Sequence, residues 1–472
     1  MKRHPKVLVR AFLAVVVASG GLTALSAPPA AADEPTPSLS NYYMREASNK
    51  AELQDRVKKL DAQLPKLGIQ NILKQAPHKG ATADGKACNP NAVASPKPEI
   101  DFSFCWQGND AGNPDGYEWI PQGMTTVADA QADKHWGSAQ PLMVTWYQKP
   151  TGDAESETCE RLKDNGDWVT TDKPCVKGVR ISIIDPNTGK YAHVLLAYPF
   201  INASGNATYM SLRTKQTAAG GSLHAGGIAW YGNYLYVADT ARGLRVFDTR
   251  YIFDLKAAGD KADITKKKRI GRQNGVFYSH GYRYVMPEIN ALTNTVPRVP
   301  YPDPKGKFAC NNDSSPNTSF VSIDRSGTDH LITGEYCLRE SGNTSGRVAA
   351  WPLDGDTGKP QFGTCPTSPI TKCWHADAAY SKDVDHVQGA VRYDGEWFMT
   401  QSRGDDSGGV LVHAAQPPGE TTGELRLIAP GHYTGIGPED LSYWPGSDAN
   451  RSGIWTATEH AGKRMVYVTP KP

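Results

Sequence analysis

The sequence has 472 residues, 51 Lys and Arg against 49 Asp and Glu, and 39% hydrophobic residues. This length can build one large domain or two modest ones, and a formal net charge of +2 excludes the concentrated positive charge that nucleic-acid binding requires. With 46 Gly, 34 Pro and 21 Tyr, the composition favours many short strands joined by tight turns over long helices.

The first 32 residues have the pattern of an export signal. An apolar run from Ala11 to Leu25 is followed by the small residues Ala30-Ala31-Ala32, which a signal peptidase accepts. The run is shorter than the ~20 residues that span a bilayer. We therefore predict a signal peptide at 1–32, a mature chain from Asp33, no membrane span and an extracellular location. The basic residues before the run are Lys2, Arg3, Lys6 and Arg10.

Export makes the eight cysteines interpretable, because oxidising compartments favour disulfides. Zinc binding is the alternative, but the sequence contains no Cys-x-x-Cys and the cysteines are widely spread. The spacing favours four local pairs: Cys88 with Cys105, Cys159 with Cys175, Cys310 with Cys337, and Cys365 with Cys373.

Between Asn41 and Gln75 apolar residues recur at spacings of three to five, which predicts an amphipathic helical arm interrupted at Pro65. The helix either packs on its own domain or docks a protein partner. Residues 76–98 are rich in Pro, Ala, Lys and Gly and are typical of a linker. We therefore divide the mature chain into an arm and linker, 33–98, and a larger domain, 99–472. The apolar residues of the arm are Leu53, Val57, Leu60, Leu64, Leu67 and Ile72.

The larger domain contains a degenerate repeat of two strands. In each copy one strand ends in a polar residue, a loop follows, and the next strand often ends in Asp and a turn. Aligning the strands gives six copies. The copies begin at Pro141 and Gly178, Tyr234 and Gly243, Tyr284 and Ser319, Leu331 and Arg347, Trp397 and Gly409, and Ile454 and Lys463.

A second signature places Gly or an acid just before an apolar strand, as in "PQGMTT" at Pro121, "HAGGIAW" at His224, "HVQGAV" at His386 and "GPEDLSYW" at Gly437. Its spacing suits the first strands of radial four-stranded blades. We therefore predict an all-β fold, a β-propeller with six blades, with five or seven as alternatives. The stretch from Glu99 to Trp106 is expected to close the last blade.

The innermost strands of a propeller line its central channel, so polar residues at their entries should converge at one mouth. This predicts a site of imidazole, carboxamide and carboxylate groups for binding a sugar, holding a metal or acid–base chemistry. The predicted ligand-binding residues are Gln122, His224, His280, Tyr282, His386, Gln388 and Glu459, and the predicted metal ligands are Glu439 and Asp440.

The segments "GPEDLSYWPGSDANRSGIWTATEHAGKRMVYV" and "HAGGIAWYGNYLYVADTARGLRVFD" resemble secreted actinomycete β-propeller proteins over about residues 115–470. More remotely, Glu439 is similar to the calcium-binding Glu on the first strand of gluconolactonase-like and paraoxonase-like six-bladed propellers. That resemblance implies calcium as a cofactor. The chain departs from these families in Asp440, which replaces their usual Gly, and it has no match for their Asn and Asp ligands.

Three functional hypotheses follow. The first is an extracellular protein that binds a glycan at the channel mouth without catalysis, since no nucleophile motif is present. The second is a calcium-assisted hydrolase or a polysaccharide lyase that acts on an extracellular polymer. The third is a structural subunit whose helical arm docks a partner.

Overall fold

The computed structural model of the protein describes residues 34–112, 117–150, 175–216, 220–342, 344–366, 371–448 and 451–472, with short pieces at 158, 160–162 and 168–170. The predicted signal peptide, 1–32, and Cys159 lie outside the described residues. No helix within these ranges is long and apolar enough to cross a membrane.

The described chain is mostly β, and most of its strands form five antiparallel sets of four. The outermost strands of the first two sets, Lys190–Ile201 and Tyr284–Asn294, also pair in parallel and join these two sets into one sheet. The first strand of each sheet contacts the first strand of the next, and the fifth contacts the first, so the innermost strands form a closed ring. This is the arrangement of a five-bladed propeller. From the inside outward, blade 1 is Tyr117–Thr126, Leu142–Pro150, Val179–Ile184 and Lys190–Ile201; blade 2 is Ile228–Tyr231, Tyr234–Asp239, Gly243–Asp248 and Tyr284–Asn294; blade 3 is Phe320–Asp324, His330–Gly334, Arg347–Asp354 and Ala378–Ser381; blade 4 is Val387–Tyr393, Glu396–Gln401, Gly408–Ala415 and Arg426–Ile436; and blade 5 is Pro438–Trp444, Gly453–Thr458, Val466–Thr469 and Phe102–Cys105.

Shorter elements surround the blades. The helices are Lys50–Asp61, Ile69–Lys74, Val127–Ala130 and Arg339–Gly342. The additional strands are Tyr43–Glu46, His78–Lys79, Ala81–Asp84, Glu160–Leu162, Trp168–Thr170, Ala207–Ser211, Phe253–Asp254, Ile270–Gln273, Val276–Ser279, Lys359–Pro360, Phe362–Thr364, Lys372–His375 and Thr422–Glu424.

The expectation of six blades is wrong, because one of the six strand pairs is not a pair. Five pairs are the second and third strands of one blade each. In the remaining pair, Tyr284–Asn294 is the outermost strand of blade 2, whereas Phe320–Asp324 is the innermost strand of blade 3. Both strands are apolar and buried, so their sequences alone do not reveal which layer each one occupies.

Glycines in the first-strand signature let neighbouring blades touch through their backbones. A methyl carbon added at Gly123 would lie 2.5 Å from the amide nitrogen of Ile228, and one at Gly389 would lie 2.6 Å from the Cα of Asp440. At Gly227 the same addition would meet the nitrogen of Val321 at 2.3 Å. These distances are far shorter than packed carbon atoms tolerate, so any larger residue would force the blades apart.

The ring is closed by a strand from the amino-terminal side, as predicted from the stretch Glu99 to Trp106. Phe102–Cys105 pairs antiparallel with Val466–Thr469 and completes blade 5. Ala81–Asp84 then covers the outer edge of Phe102–Cys105. This pairing prevents exposure of the sheet edges that an open ring would leave.

Three of the four predicted disulfides are present, and no described cysteine is free. They join Cys88 to Cys105, Cys310 to Cys337 and Cys365 to Cys373. The fourth predicted pair, Cys159 with Cys175, includes a residue outside the described ranges. Disulfides of this number are typical of extracellular proteins.

The arm packs against the propeller. Helix Lys50–Asp61 buries Leu53, Val57 and Leu60, and it contacts the outermost strands of blades 1 and 2. Strand Tyr43–Glu46 pairs with the outer edge of blade 2. The apolar face of the helix is therefore covered by its own chain and is not available to dock a partner. The division at residues 98 and 99 stays a prediction.

We expect Gly389→Ala to lower the free energy of unfolding by about 2 kcal/mol or more, because its new methyl group would overlap the backbone of Asp440. Gly327→Ala is the matched control, since Gly327 has nothing within 4 Å of the added carbon and is exposed. Urea denaturation measures both. Equal stability of the two variants would show that the blades have room to separate.

Removing the disulfide at the closing strand should loosen the ring. We expect the double variant Cys88→Ser, Cys105→Ser to lose about 3 kcal/mol of unfolding free energy, because the unfolded chain is no longer held in a loop of 17 residues. The pair Cys365 and Cys373, which closes a loop of 8 residues, serves as the comparison. A smaller loss at Cys88 and Cys105 than at Cys365 and Cys373 would contradict the expectation.

Candidate functional site

A polar cleft of about 500 Å³ opens at one mouth of the channel. Its walls come from the entries of first strands and from loops after second strands, which is where propeller blades present side chains to a ligand. Blade 3 contributes one wall residue, and blades 4 and 5 contribute the rest. The lining residues are Tyr336, His386, Gln388, Gln401, Ser402, Arg403, Gly404, Asp405, Glu459 and His460.

Two glutamate side chains meet at the floor of this cleft, where Glu459 lines the cleft and the buried Glu439 lies beneath it. Glu439, on the first strand of blade 5, is almost fully buried, and its carboxyl group hydrogen bonds to that of Glu459. Burial raises the pKa of Glu439 well above its ordinary value, and the neighbouring Glu459 raises it further. Burial also raises the pKa of Glu459. The two groups therefore hold one shared proton, since two carboxylates in contact cannot both ionise without a cation.

Two carboxamides hold this acid pair in place from neighbouring blades. Gln122 Nε2 donates to Glu459 Oε2 at 3.1 Å, and Gln388 Nε2 donates to Glu439 Oε1 at 3.2 Å. The Oε1 atom of Gln122 is buried and has no hydrogen-bond partner within the described part of the chain. Blades 1, 4 and 5 thus each contribute to one cluster of oxygen-bearing side chains.

A histidine and an aspartate form a second pair in the wall. His386 Nδ1 lies 3.2 Å from Asp385 Oδ1, and the ring of Tyr336 packs against His386 edge-on at 6.1 Å between centroids. Burial, with the nearby Glu439 and Glu459, raises the pKa of Tyr336 to about 12, so its hydroxyl stays protonated. An imidazole with one nitrogen bound to a carboxylate has its other nitrogen available for proton transfer.

Metal ligation is available at two places. Glu439 and Glu459 offer carboxylate oxygens, and turning the amides of Gln122 and Gln388, which present Nε2 to them, would add two oxygens of the kind calcium prefers. On the rim, His386, Asp385 and Glu340 offer ligand atoms within 4.8 Å of one another.

Asp440 is not brought into the cleft, so we do not retain it as a metal ligand. Its Oδ2 accepts hydrogen bonds from the backbone N–H of Met124 at 3.3 Å and of Ile228 at 3.0 Å. The residue is fully buried, and burial raises its pKa well above the ordinary value. Successive residues of a strand face opposite ways, which is why Glu439 and Asp440 serve different surroundings.

Three further predicted residues also lie elsewhere. The Nε2 of His280 is 3.1 Å from Ser211 Oγ, and its Nδ1 is 3.3 Å from the carbonyl of Lys267, behind an outermost strand. Tyr282 accepts a hydrogen bond from Arg180 at 3.2 Å. His224 is exposed and packs on Tyr147 at 4.8 Å between ring centroids, and it is not among the described residues that line the cleft.

The sequence analysis missed several cleft residues. Tyr336, Gln401 and Arg403 follow second strands, and His460 adjoins the predicted Glu459. Their shared signal is a polar residue just after a second strand, which the repeat alignment already displayed.

No family model matches the sequence, and no curated protein matches it. Among solved structures, the chain is distantly similar to the GH43 β-xylosidase/α-arabinofuranosidase CoXyl43 from a compost microbial metagenome, with 9% identity, a TM-score of 0.30, and coverage of 75% of this chain and 91% of that chain. A GH43_1 enzyme from Xanthomonas citri gives 8% identity, a TM-score of 0.29, and coverage of 75% and 88%. A likeness this loose does not establish a family or an activity.

The acid pair should make the stability of the protein depend on pH. A carboxyl group whose pKa is raised by folding stabilises the protein below its unfolded-state pKa, and this contribution is lost as the pH rises through its folded-state pKa. Glu439→Gln removes that titration. In buffer with a chelator, we expect the melting temperature of the variant minus that of the wild type to increase from pH 5 to pH 8.

Glu420→Gln is the control for this measurement, because Glu420 is exposed and lies outside the cleft. Its difference from the wild type should stay flat over the same range. A flat difference for Glu439→Gln as well would mean that Glu439 ionises in the fold without cost.

Proposed function

We propose that the protein is a secreted hydrolase that acts on an extracellular glycan at the channel mouth. The observation that carries this proposal is the buried acid pair of Glu439 and Glu459 at the floor of a polar cleft of about 500 Å³. Buried carboxyl groups with raised pKa values cluster at functional sites, because they cost stability and supply protons near neutral pH.

The residues of the cleft can supply both the acid and the base that hydrolysis needs. The acid pair donates its proton to the leaving oxygen as the glycosidic C–O bond breaks. His386, oriented by Asp385, accepts a proton from a water molecule whose oxygen forms the new bond to the same carbon. The products carry one added water between them, and the proton returns from His386 to the acid pair through solvent.

The direct contact between Glu439 and Glu459 supports treating them as one acid. Glycosidases that use one carboxyl as acid and another as base or nucleophile keep the two about 5–10 Å apart. A shared-proton pair instead acts as a unit with two apparent pKa values. A separate base is then required. Two cleft histidines lie beside carboxylates, His386 at 3.2 Å from Asp385 and His460 at 3.4 Å from Asp405, and we assign the role to His386, which has the shorter contact.

Calcium fits the same oxygens and gives the calcium-assisted form of this proposal. Glu439 and Glu459 would hold it, with Gln122 and Gln388 once their amides turn to present oxygen, and Gln122 Oε1 is buried without a hydrogen-bond partner among the described residues. The ion would neutralise both carboxylates and polarise a substrate oxygen. In that form Glu439→Gln should abolish the rise in melting temperature that calcium causes in the wild type.

Glycan binding without catalysis, the first hypothesis from the sequence, needs donors and acceptors but no proton-sharing acids. A binder would gain nothing from burying Glu439 beside Glu459, since each buried carboxyl costs folding free energy. We therefore place the hydrolase first and treat simple binding as an outcome of the test.

The test is a screen of soluble polysaccharides for new reducing ends and for new unsaturated ends, with calcium and with a chelator. We expect reducing ends from at least one polymer, and a loss of about 100-fold or more in rate for Glu439→Gln, Glu459→Gln and His386→Ala. Glu420→Gln should retain the wild-type rate.

Unsaturated ends would indicate a lyase in place of a hydrolase. Binding of a polymer that is never cleaved would support the non-catalytic hypothesis. Full activity in both glutamate variants would remove the acid pair from the reaction.

A further inference from the structure

A second cleft, which we call the rim groove, has a volume of about 730 Å³ and lies on the outside of the propeller. One wall is the polar face of helix Lys50–Asp61, the floor is the outer part of blade 2, and the other wall is a hairpin at the edge of blade 3. It shares no lining residue with the cleft at the channel mouth. Its charged lining residues are Arg45, Glu46, Lys50, Lys58, Asp248, Arg250, Lys359 and Lys372.

The rim groove concentrates positive charge in a nearly neutral protein. Six of its lining side chains are cationic and two are anionic, which gives a formal charge of +4 against +2 for the whole chain. Both anionic groups are already paired, Glu46 with Lys50 at 2.5 Å and Asp248 with Arg250 at 2.6 Å.

The other four cations of the rim groove have no acidic partner among the described residues, and all four are exposed. They are Arg45, Lys58, Lys359 and Lys372. Like charges facing one another across a cleft repel, so an anion that lies between them is favoured.

Aromatic side chains stand between these cations. The ring of Tyr234 has Lys359 Nζ at 5.5 Å and Arg250 Cζ at 5.8 Å from its centroid, and Tyr236, Tyr251 and Phe362 also line the groove. Contact with the aromatic ring orients each cation. The rings also offer apolar faces and edges for the C–H surfaces of a sugar, while the cations meet its charged substituents.

We propose that the rim groove binds an anionic polysaccharide, a chain whose sugars bear carboxylate or sulfate groups. Charge complementarity and the aromatic walls carry this assignment. This assignment rests on the proposed function in one respect, namely that the ligand is a glycan. The groove then anchors a polymer outside the cleft that acts on it, which raises the local concentration of substrate.

The test measures binding of the mature chain, residues 33–472, to polygalacturonate, dextran sulfate and neutral dextran by affinity electrophoresis. We expect retardation by at least one anionic polymer, none by dextran, and weaker binding at 300 mM than at 50 mM NaCl. The polymer that binds more tightly identifies carboxylate or sulfate as the recognised group.

Charge reversal locates the site. The double variant Lys58→Glu, Lys372→Glu should bind the anionic polymer about tenfold more weakly. The matched control is Lys190→Glu, Lys256→Glu, which makes the same change in net charge at exposed positions outside the groove. Glu420→Gln, at an exposed position outside both the cleft and the groove, should keep wild-type affinity.

Each other outcome overturns the proposal. Equal weakening in both double variants would show unspecific attraction, and wild-type affinity in Lys58→Glu, Lys372→Glu would place the polymer outside the groove. Polyglutamate binding as tightly as the best polysaccharide would make the ligand an acidic peptide, and no retardation by either anionic polymer would leave the groove without this role. If groove binding persists while no polymer is cleaved, only the proposed hydrolase fails.

Discussion

Backbone contact between neighbouring innermost strands is the constraint that determines where this protein can present a site. Gly123, Gly227 and Gly389 each bring one blade so close to the next that an added methyl carbon would overlap it. Three of the five junctions between innermost strands are this close. Within the ring, the polar cleft opens where first strands begin and the loops after second strands separate, whereas the rim groove lies outside the ring.

Two consecutive acidic residues of blade 5, Glu439 and Asp440, have different roles, one chemical and one structural. Asp440 faces inward and accepts N–H groups from the first strands of blades 1 and 2, so it links three blades through one buried carboxyl. Glu439 faces the mouth and meets Glu459. Burial raises the pKa of both Glu439 and Asp440. Glu439 also has the carboxyl group of Glu459 beside it, with which it can exchange a proton.

Sequence patterns located the parts of the site that belong to strands and missed those that belong to loops. Gln122, Gln388 and Glu439 occupy fixed places in a repeated signature, whereas Tyr336 and Asp385 reach the cleft through irregular segments. The segment that includes His280 precedes an outermost strand, which is as apolar as an innermost one. The number of blades was predicted wrongly for the same reason. Innermost and outermost strands are both buried on their two faces, so their sequences look alike.

The closing strand has a consequence for how the chain must fold. Phe102–Cys105 pairs with residues about 360 positions later, near the carboxyl end. Contacts between such distant segments form late, because the chain must lose conformational entropy to bring the segments together before their contacts can stabilise the fold. Until Val466–Thr469 is in place, the ring cannot close through this pair of strands. An open ring leaves strand edges that can pair with a second copy of the chain. The neighbouring strand Ala81–Asp84 limits such pairing because it covers one edge of Phe102–Cys105.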